Sequence, residues 1–328
     1  MTRLRIGVLG AARIVPTALI KPAAGVPDVV VAGIAARDVQ RARQFANEHG
    51  ITTAYDSYQE VLDDPDIDAV YIPLPNSLHA PWTLKAVEAG KHVLCEKPFT
   101  ANAAQARAVV AAAAGSGLVV MEAFHYRYHP LAERMREICA SGELGAIESV
   151  EVSVCFPLPR FGDIRYSYPL AGGAMMDAGC YALHCLRLLA GETPDVVSAR
   201  AKRHNPEIDR AITAQLRFPS GATGRISASL WSRRVLDIGA RVVGERGELK
   251  VLNFVAPQVY NRLTVKSTAS RRHERVRGES SYTYQLRAFA DAVLRGGPVL
   301  TSAEDAVVNM SLVDEVYRAA GMRLRGGS

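Results

Sequence analysis

Leu4-Arg5-Ile6-Gly7-Val8-Leu9-Gly10-Ala11-Ala12 is an apolar run that breaks abruptly on a glycine and two alanines. The run reads as a short buried strand and Gly10 as the tight turn that ends it. A helix is expected from about Arg13, with Pro16 tolerated in its first turn. Strand, tight turn and helix N-terminus in that order present free backbone amides to an anion. The chain then repeats the alternation. Strands are expected over 29–34, 69–72, 92–95 and 118–121. Between them fall a helix capped by Asp38 and stopped at Gly50, and a short one opened by the capping box Ser57-x-x-Glu60. Two more are expected over 79–89, closed by Gly90, and over the alanine-rich 101–114. Strands alternating with helices of this length indicate a parallel, doubly wound α/β sheet.

Beyond Glu122 the pattern changes. After one helix over 130–140 the period falls to two, in Ile147-Glu148-Ser149-Val150-Glu151-Val152-Ser153-Val154 and again in Arg225-Ile226-Ser227-Ala228-Ser229-Leu230. Further strands are expected over 196–202, 212–218, 238–243 and 248–252, and closing helices over 284–295 and 303–318. Such alternation fits an antiparallel sheet with one buried face. The chain therefore divides into an α/β domain, 1–122, and an α+β domain, 123–328.

Composition excludes some classes. The 328 residues are 48% hydrophobic and 22% charged, ordinary for a protein with ample core. The formal charge of +6 is dispersed, which argues against a nucleic-acid surface. Arg271-Arg272-His273-Glu274-Arg275 is a local exception, read as a solvated loop or strand edge. Cys95, Cys139, Cys155, Cys180 and Cys185 show neither CxxC spacing nor a metal-ligand pattern. Their odd number and the absence of a leader before the first strand suit reduced thiols in a cytoplasm. No apolar run reaches the roughly 18 residues of a membrane span.

Five stretches carry chemistry. Against G-x-G-x-x-G, Gly10 is the first glycine, Ala12 the second position and Val15 the third. Only Gly10 matches, so placement carries the reading that Gly10, Ala11, Ala12, Arg13 and Ile14 hold a pyrophosphate; a merely structural turn is the competing one. Alanine at Ala12 still permits close approach, whereas Val15 should loosen the helix packing. At the end of the second strand, Ala36 stands where NAD enzymes carry an acid, and Arg37 offers a fork for a ribose 2′-phosphate. This points to NADP, with NAD possible; an exposed arginine before a capping Asp38 is the alternative.

Pro73-Leu74-Pro75-Asn76-Ser77-Leu78-His79 leaves the third main strand over the expected nicotinamide half. Pro73 and Asn76 are candidate cofactor contacts; His79 is either another or a helix-start residue satisfied by backbone. In Cys95-Glu96-Lys97-Pro98 the proline holds Lys97 at the carboxyl edge of a strand, where ligands bind in open α/β sheets. Finally, Gly172-Gly173 precedes Asp177, Tyr181 and His184, which a helix would align at i, i+4 and i+7. The glycines let a ligand or another backbone approach. A hydrogen-bonded core histidine remains the bland reading of His184.

Taken together, Glu96-Lys97-Pro98 and Asp177-x-Gly179-x-Tyr181-x-x-His184 resemble the glucose–fructose oxidoreductase, inositol dehydrogenase and rhizopine-catabolism (Gfo/Idh/MocA) family. The resemblance implies a Rossmann domain followed by an α+β domain whose open, mainly antiparallel sheet forms a homodimer or homotetramer. It implies that Lys97 contacts substrate hydroxyl and nicotinamide ribose, beside Glu96. Asp177 would bind substrate, and Tyr181 would stand where many members have a catalytic histidine. Arg127, in Glu122-Ala123-Phe124-His125-Tyr126-Arg127, and Arg165, in Asp163-Ile164-Arg165, resemble the sugar oxidoreductase and dimeric dihydrodiol dehydrogenase branch and join the substrate contacts with His184. The expected activity is NADP-dependent hydride transfer on a secondary alcohol of a sugar, sugar derivative or trans-dihydrodiol, without a metal. Two rivals are a glycoside-cleaving enzyme that retains bound NAD and a non-catalytic cofactor-sensing regulator.

Overall fold

A computed structural model describes residues 3–268 and 270–327, and the chain gathers into two compact units. The first contains a sheet of six parallel strands. They are β1 (Leu4–Leu9), β2 (Val29–Ala35), β3 (Thr53–Tyr55), β4 (Ala69–Ile72), β5 (His92–Cys95) and β6 (Val120–Glu122), ordered β3-β2-β1-β4-β5-β6. The expected caps are present: Asp38 accepts from Gln40 N at 2.8 Å and Ser57 from Glu60 N at 3.2 Å. Glu60 returns its bond to Asp56 N, one residue earlier than a strict capping box. β3 was not expected; its three half-buried residues are too few to show a period.

This unit is not contiguous in sequence. Residues 279–306 return to it, and helix Ser281–Arg295 contributes Leu286, Phe289 and Ala290 to the core around Leu4, Ile6 and Val8. The expected division at 122 and 123 is therefore a cut in the chain rather than between the two compact units.

The second unit is built on an eight-stranded sheet. Its strands are β7 (Ile147–Cys155), β8 (Asp195–Asn205), β9 (Ile208–Arg217), β10 (Thr223–Ser229), β11 (Asp237–Gly244), β12 (Gly247–Leu252), β13 (Arg262–Ser267) and β14 (Arg271–Glu274), ordered β14-β13-β12-β11-β7-β10-β9-β8. All pairs are antiparallel except β7–β10. A parallel pair needs a long crossover, and helix Cys180–Ala190 lies in the one between them. Val150, Val152 and Val154 point to the buried face, while Glu151, Gln215, Arg225, Arg241, Lys250 and Arg262 are exposed.

β13 and β14 were not expected as strands. β14 holds most of the basic cluster and is the sheet edge that one of the two readings named. Arg272 and Glu274 are paired. Arg134, on helix Pro130–Ala140, donates to Glu274 at 2.7 and 2.9 Å, Arg272 donates to Glu274 at 2.7 Å, and Arg272 also pairs with Glu143. The five cysteines form no disulfide, and no helix among the described residues is long and apolar enough to cross a membrane.

The Arg134 bond, followed by that of Arg272, holds the Glu274 carboxyl down to about 2, from 4.5. A depressed carboxyl stabilises the fold above its ordinary value and loses that contribution as pH falls toward the folded value. Glu274→Gln should therefore lower the melting temperature by a few degrees at neutral pH, and the gap to wild type should close as pH falls from 4.5 toward 2. Thermal melts across that range check this; a gap that is constant with pH contradicts it.

Candidate active site

At the end of β1 the chain turns through a backbone geometry that suits glycine. Gly10 has φ of +121°, and a Cβ there would lie 3.0 Å from Leu74 Cδ2. Its N–H donates to Ala35 O at 2.8 Å, and its carbonyl accepts from Ala12 N at 2.9 Å. The helix that follows opens in π register over Pro16–Ile20 and continues as α over Lys21–Ala23. Val15, at the third fingerprint position, is fully buried. Ala11 is buried, Ala12 and Ile14 half-buried, and Arg13 exposed.

Arg37 is exposed just past β2, beside a buried, neutral Ala36. The half-buried Tyr58 phenol is pushed up by burial, while the charges of Arg37 and Arg41 act on it in the opposite direction. Arg41 also donates to Ala11 O at 2.6 Å. Arg41 was missed from sequence; its signal was its place in the first turn of the Asp38-capped helix, four residues after Arg37. Guanidinium groups, a neutral Ala36 and a small-residue turn at the ends of β1 and β2 suit a cofactor bearing a diphosphate and a ribose 2′-phosphate.

Lys97 is half-buried just past β5, and its peptide bond to Pro98 is cis. His79 is 1% exposed. Its Nδ1 lies 2.7 Å from Pro98 O and its Nε2 2.8 Å from Leu74 O. Of the two roles weighed for it, the geometry is that of the backbone-satisfied residue. His79 staples the loop containing Pro73, Leu74 and Asn76 to the Lys97–Pro98 segment and leaves no ring nitrogen for the cofactor. Burial holds its imidazole below the ordinary value against the pull of the Pro98 and Leu74 carbonyls, with the charge of Lys97 adding to the depression.

His125 belongs to the same surroundings. It is buried, stacks on Tyr282 at 4.0 Å and has Nδ1 2.8 Å from Ser281 Oγ. Burial, then Lys97, pushes it down to about 3. The neutral form of the ring is thereby favoured. Sequence reasoning named its stretch but not this residue. Glu96 accepts from the buried Tyr71 hydroxyl at 2.6 Å, and that phenol stays protonated because burial, then Glu96, raises it well above its usual range. Pro73 is buried, Asn76 opens the short turn Asn76–Leu78, and Arg127 is half-buried in the turn His125–Tyr128.

In the second unit, one helical stretch carries Asp177, Tyr181 and His184. It begins in π register over Met175–Gly179 and becomes α over Cys180–Ala190. Asp177 therefore sits in the π turn, so the regular i, i+4, i+7 stripe expected of an α-helix holds only from Tyr181 onward. Such single-turn π segments are frequent at functional sites. Tyr181 is 6% and His184 5% exposed. Arg165 Nε donates to Asp177 at 2.8 Å and its Nη1 to Asp163 at 3.1 Å. Asp177, followed by burial acting the other way, dominates the upward shift of this guanidinium. Arg165 and Asp177, named separately from sequence, are thus in direct contact. The close approach at Gly172 is made by backbone: a Cβ there would lie 2.5 Å from Arg165 O. Lys97 belongs to the first compact unit and Asp177, Tyr181 and His184 to the second. Among the described residues no three His, Cys, Asp or Glu side chains form a metal-holding group.

Known proteins match along the chain. The description "oxidoreductase family, NAD-binding Rossmann fold" fits residues 4–124 and the Gfo/Idh/MocA C-terminal domain fits residues 132–250. A D-xylose 1-dehydrogenase (NADP(+)) of Haloferax volcanii is 39% identical, covering 97% of each chain. The trans-1,2-dihydrobenzene-1,2-diol dehydrogenase of Sus scrofa is 30% identical over 89% of each. A 3-ketoreductase from Actinomadura kijaniata, solved with NADP and TDP-benzene, superposes with a TM-score of 0.89 at 30% identity, covering 97% of this chain and 98% of its own. With its Rossmann sheet, its second, mostly antiparallel sheet and relatives of this similarity along nearly its whole length, the chain belongs to the Gfo/Idh/MocA family of NAD(P)-dependent oxidoreductases.

Proposed function

We propose that the protein is an NADP-dependent dehydrogenase of a sugar-like CH–OH group, with an aldopyranose such as D-xylose as the first substrate to test. The observation that carries this reading is the Asp177 carboxylate, nearly buried and held by Arg165 on the helix that also presents Tyr181. A fixed acceptor beside a phenol suits a polyol, whose adjacent hydroxyls offer several donors. The xylose dehydrogenase relative supports the substrate class, and the exposed Arg37 beside Ala36 supports the phosphorylated cofactor.

The cofactor, when bound, accepts or returns a hydride at C4 of its nicotinamide. The chain's own groups do the rest. Tyr181 takes the hydroxyl proton during oxidation and gives it back during reduction. A free phenol is a poor base at neutral pH, and an ammonium charge favours its ionised form; Lys97 is assigned that charge and a hydrogen bond to the developing alkoxide. Asp177 accepts from a neighbouring hydroxyl and orients the carbinol carbon. His79 fixes the backbone on which Lys97 is carried, and Arg13, Arg37 and Arg41 hold the phosphates.

Kinetics on D-xylose and other aldoses, followed by NADPH absorbance, test the assignment. Tyr181→Phe should keep NADPH affinity while kcat falls by about two to four orders of magnitude, and Lys97→Met should fall at least as far. If His184→Ala abolishes turnover while Tyr181→Phe stays within about threefold of wild type, the proton belongs to His184 instead.

The cofactor preference has its own test. A charge-assisted hydrogen bond to phosphate contributes about 1.5–3 kcal/mol, so Arg37→Ala should weaken NADP binding more than about tenfold and leave NAD nearly unchanged. Equal losses in fluorescence titration would refute the role of Arg37.

We also propose that the exposed sheet face joins copies of the chain. Charges of both signs, Glu151 with Arg241, Lys250 and Arg262, are exposed there, and a two-fold axis would bring this same face of a second copy against them. Light scattering should give a mass of two or four times 35.4 kDa that decreases at high salt; a monomer at low salt and micromolar concentration rules the interface out.

A further inference from the structure

We propose that Arg325, almost at the end of the chain, is a positioning residue for the substrate site. It sets the backbone from which Asp177 and Tyr181 project. This rests on the reading that those two residues meet the substrate. Arg325 lies beyond both stretches that match the family descriptions.

An arginine side chain is ordinarily solvated, yet Arg325 is 0% exposed. Its donors are directed to separate acceptors: Nε to Gly172 O at 2.7 Å, Nη2 to Asp209 Oδ1 at 2.8 Å and Nη1 to Arg323 O at 2.8 Å. The guanidinium lies 4.2 Å from the Tyr317 ring centroid and 5.2 Å from that of Tyr168. Asp209, on β9 and also 0% exposed, accepts from Tyr317 Oη at 3.0 Å and from Met175 N at 2.7 Å. The ion pair therefore grips the chain at Gly172 O and Met175 N, on either side of the turn that opens the Asp177 helix. The tail is anchored in turn, because Asn102 Nδ2 donates to Arg325 O at 2.8 Å and Tyr168 Oη to Leu324 O at 2.7 Å.

The turn is pressed onto the pair with nothing in between. Gly173 has φ of +135°, and a Cβ there would lie 2.2 Å from Asp209 Oδ1 and 2.6 Å from Tyr317 Oη. From this turn the contacts lead directly to the site: Gly173 N donates to Arg165 O at 2.8 Å and Asp177 N to Gly173 O at 3.1 Å, while Arg165 closes the loop on the Asp177 carboxylate at 2.8 Å. A buried ion pair contributes little net stability beyond a well-packed apolar substitute. What it supplies is direction. The Asp209 carboxylate also stands at a helix N-terminus, where negative charge is favoured.

The experiment uses Arg325→Lys, which keeps the buried charge but not the planar fork needed to reach Gly172 O and Asp209 together, alongside Arg325→Met. Oxidation of D-xylose by NADP, melting temperature, NADPH titration and hydrogen–deuterium exchange are measured on the full chain. For Arg325→Lys, kcat/KM should fall at least about tenfold, because small displacements of reacting groups are costly. NADPH affinity should stay within about twofold, since the partners of Arg325 named above lie in the second unit. Exchange over residues 172–181 should accelerate while β7 and β10 keep their protection. A lowered melting temperature with unchanged kcat/KM and unchanged exchange over 172–181 would overturn the proposal, showing a purely structural pair. If wild type oxidises no polyol, the functional reading fails on its own, and the exchange result still decides the role of Arg325. Should Arg325→Met fail to fold, Arg325→Lys carries the test.

Discussion

Strand order in the first sheet runs outward in both directions from β1 and β4, so the segments that leave these two neighbours diverge and open a crevice at their carboxyl ends. Much else depends on that reversal. The Gly10 turn leaves β1 at this edge, the Pro73–Asn76 loop leaves β4, and Lys97 follows β5 next to it. His79 then joins two of these exits through Leu74 O and Pro98 O. The neutral ring carries one N–H and donates to only one of these two carbonyls; donating to both takes the imidazolium, which the two carbonyls favour and which burial and the charge of Lys97 oppose.

The second unit solves a different problem, that of holding a carboxylate in a largely apolar helix. Asp177 lies in a stretch that otherwise buries Met175, Met176, Ala178 and Cys180. An unpaired charge there would be costly, and Arg165 answers it directly. Beneath the same turn the Asp209–Arg325 pair repeats the arrangement at full burial. The π turn that carries Asp177 thus has an ion pair on either side of it.

Much of this was legible in the residues. Asp38 and Ser57 announce their helices, Gly10 and Gly90 end theirs or open a turn, and the alternation from Ile147 to Val154 is β7. Sheet class followed because those signals are local. What stayed hidden is non-local. Nothing near Leu286 or Phe289 says that their helix packs with the core around Leu4, Ile6 and Val8 rather than with its chain neighbours. β14 reads Arg-Arg-His-Glu, and its strand character comes only from pairing with β13 and from the arginine–glutamate network. Arg41 and Arg325 have the composition of solvated arginines, and only their partners distinguish them. The glycines before Asp177 signalled close approach correctly, but the neighbour at Gly172 is a carbonyl and at Gly173 a buried ion pair.

The central claim is direct hydride transfer from a sugar-like carbinol carbon to a freely exchanging NADP. The most direct measurement supplies D-xylose deuterated at C1 with NADP and analyses the released NADPH by mass spectrometry and proton NMR. The account predicts one deuterium per turnover at C4 of the nicotinamide, on a single face, and none in the solvent. Deuterium released to water, or consumption of the sugar without net NADPH, would contradict it.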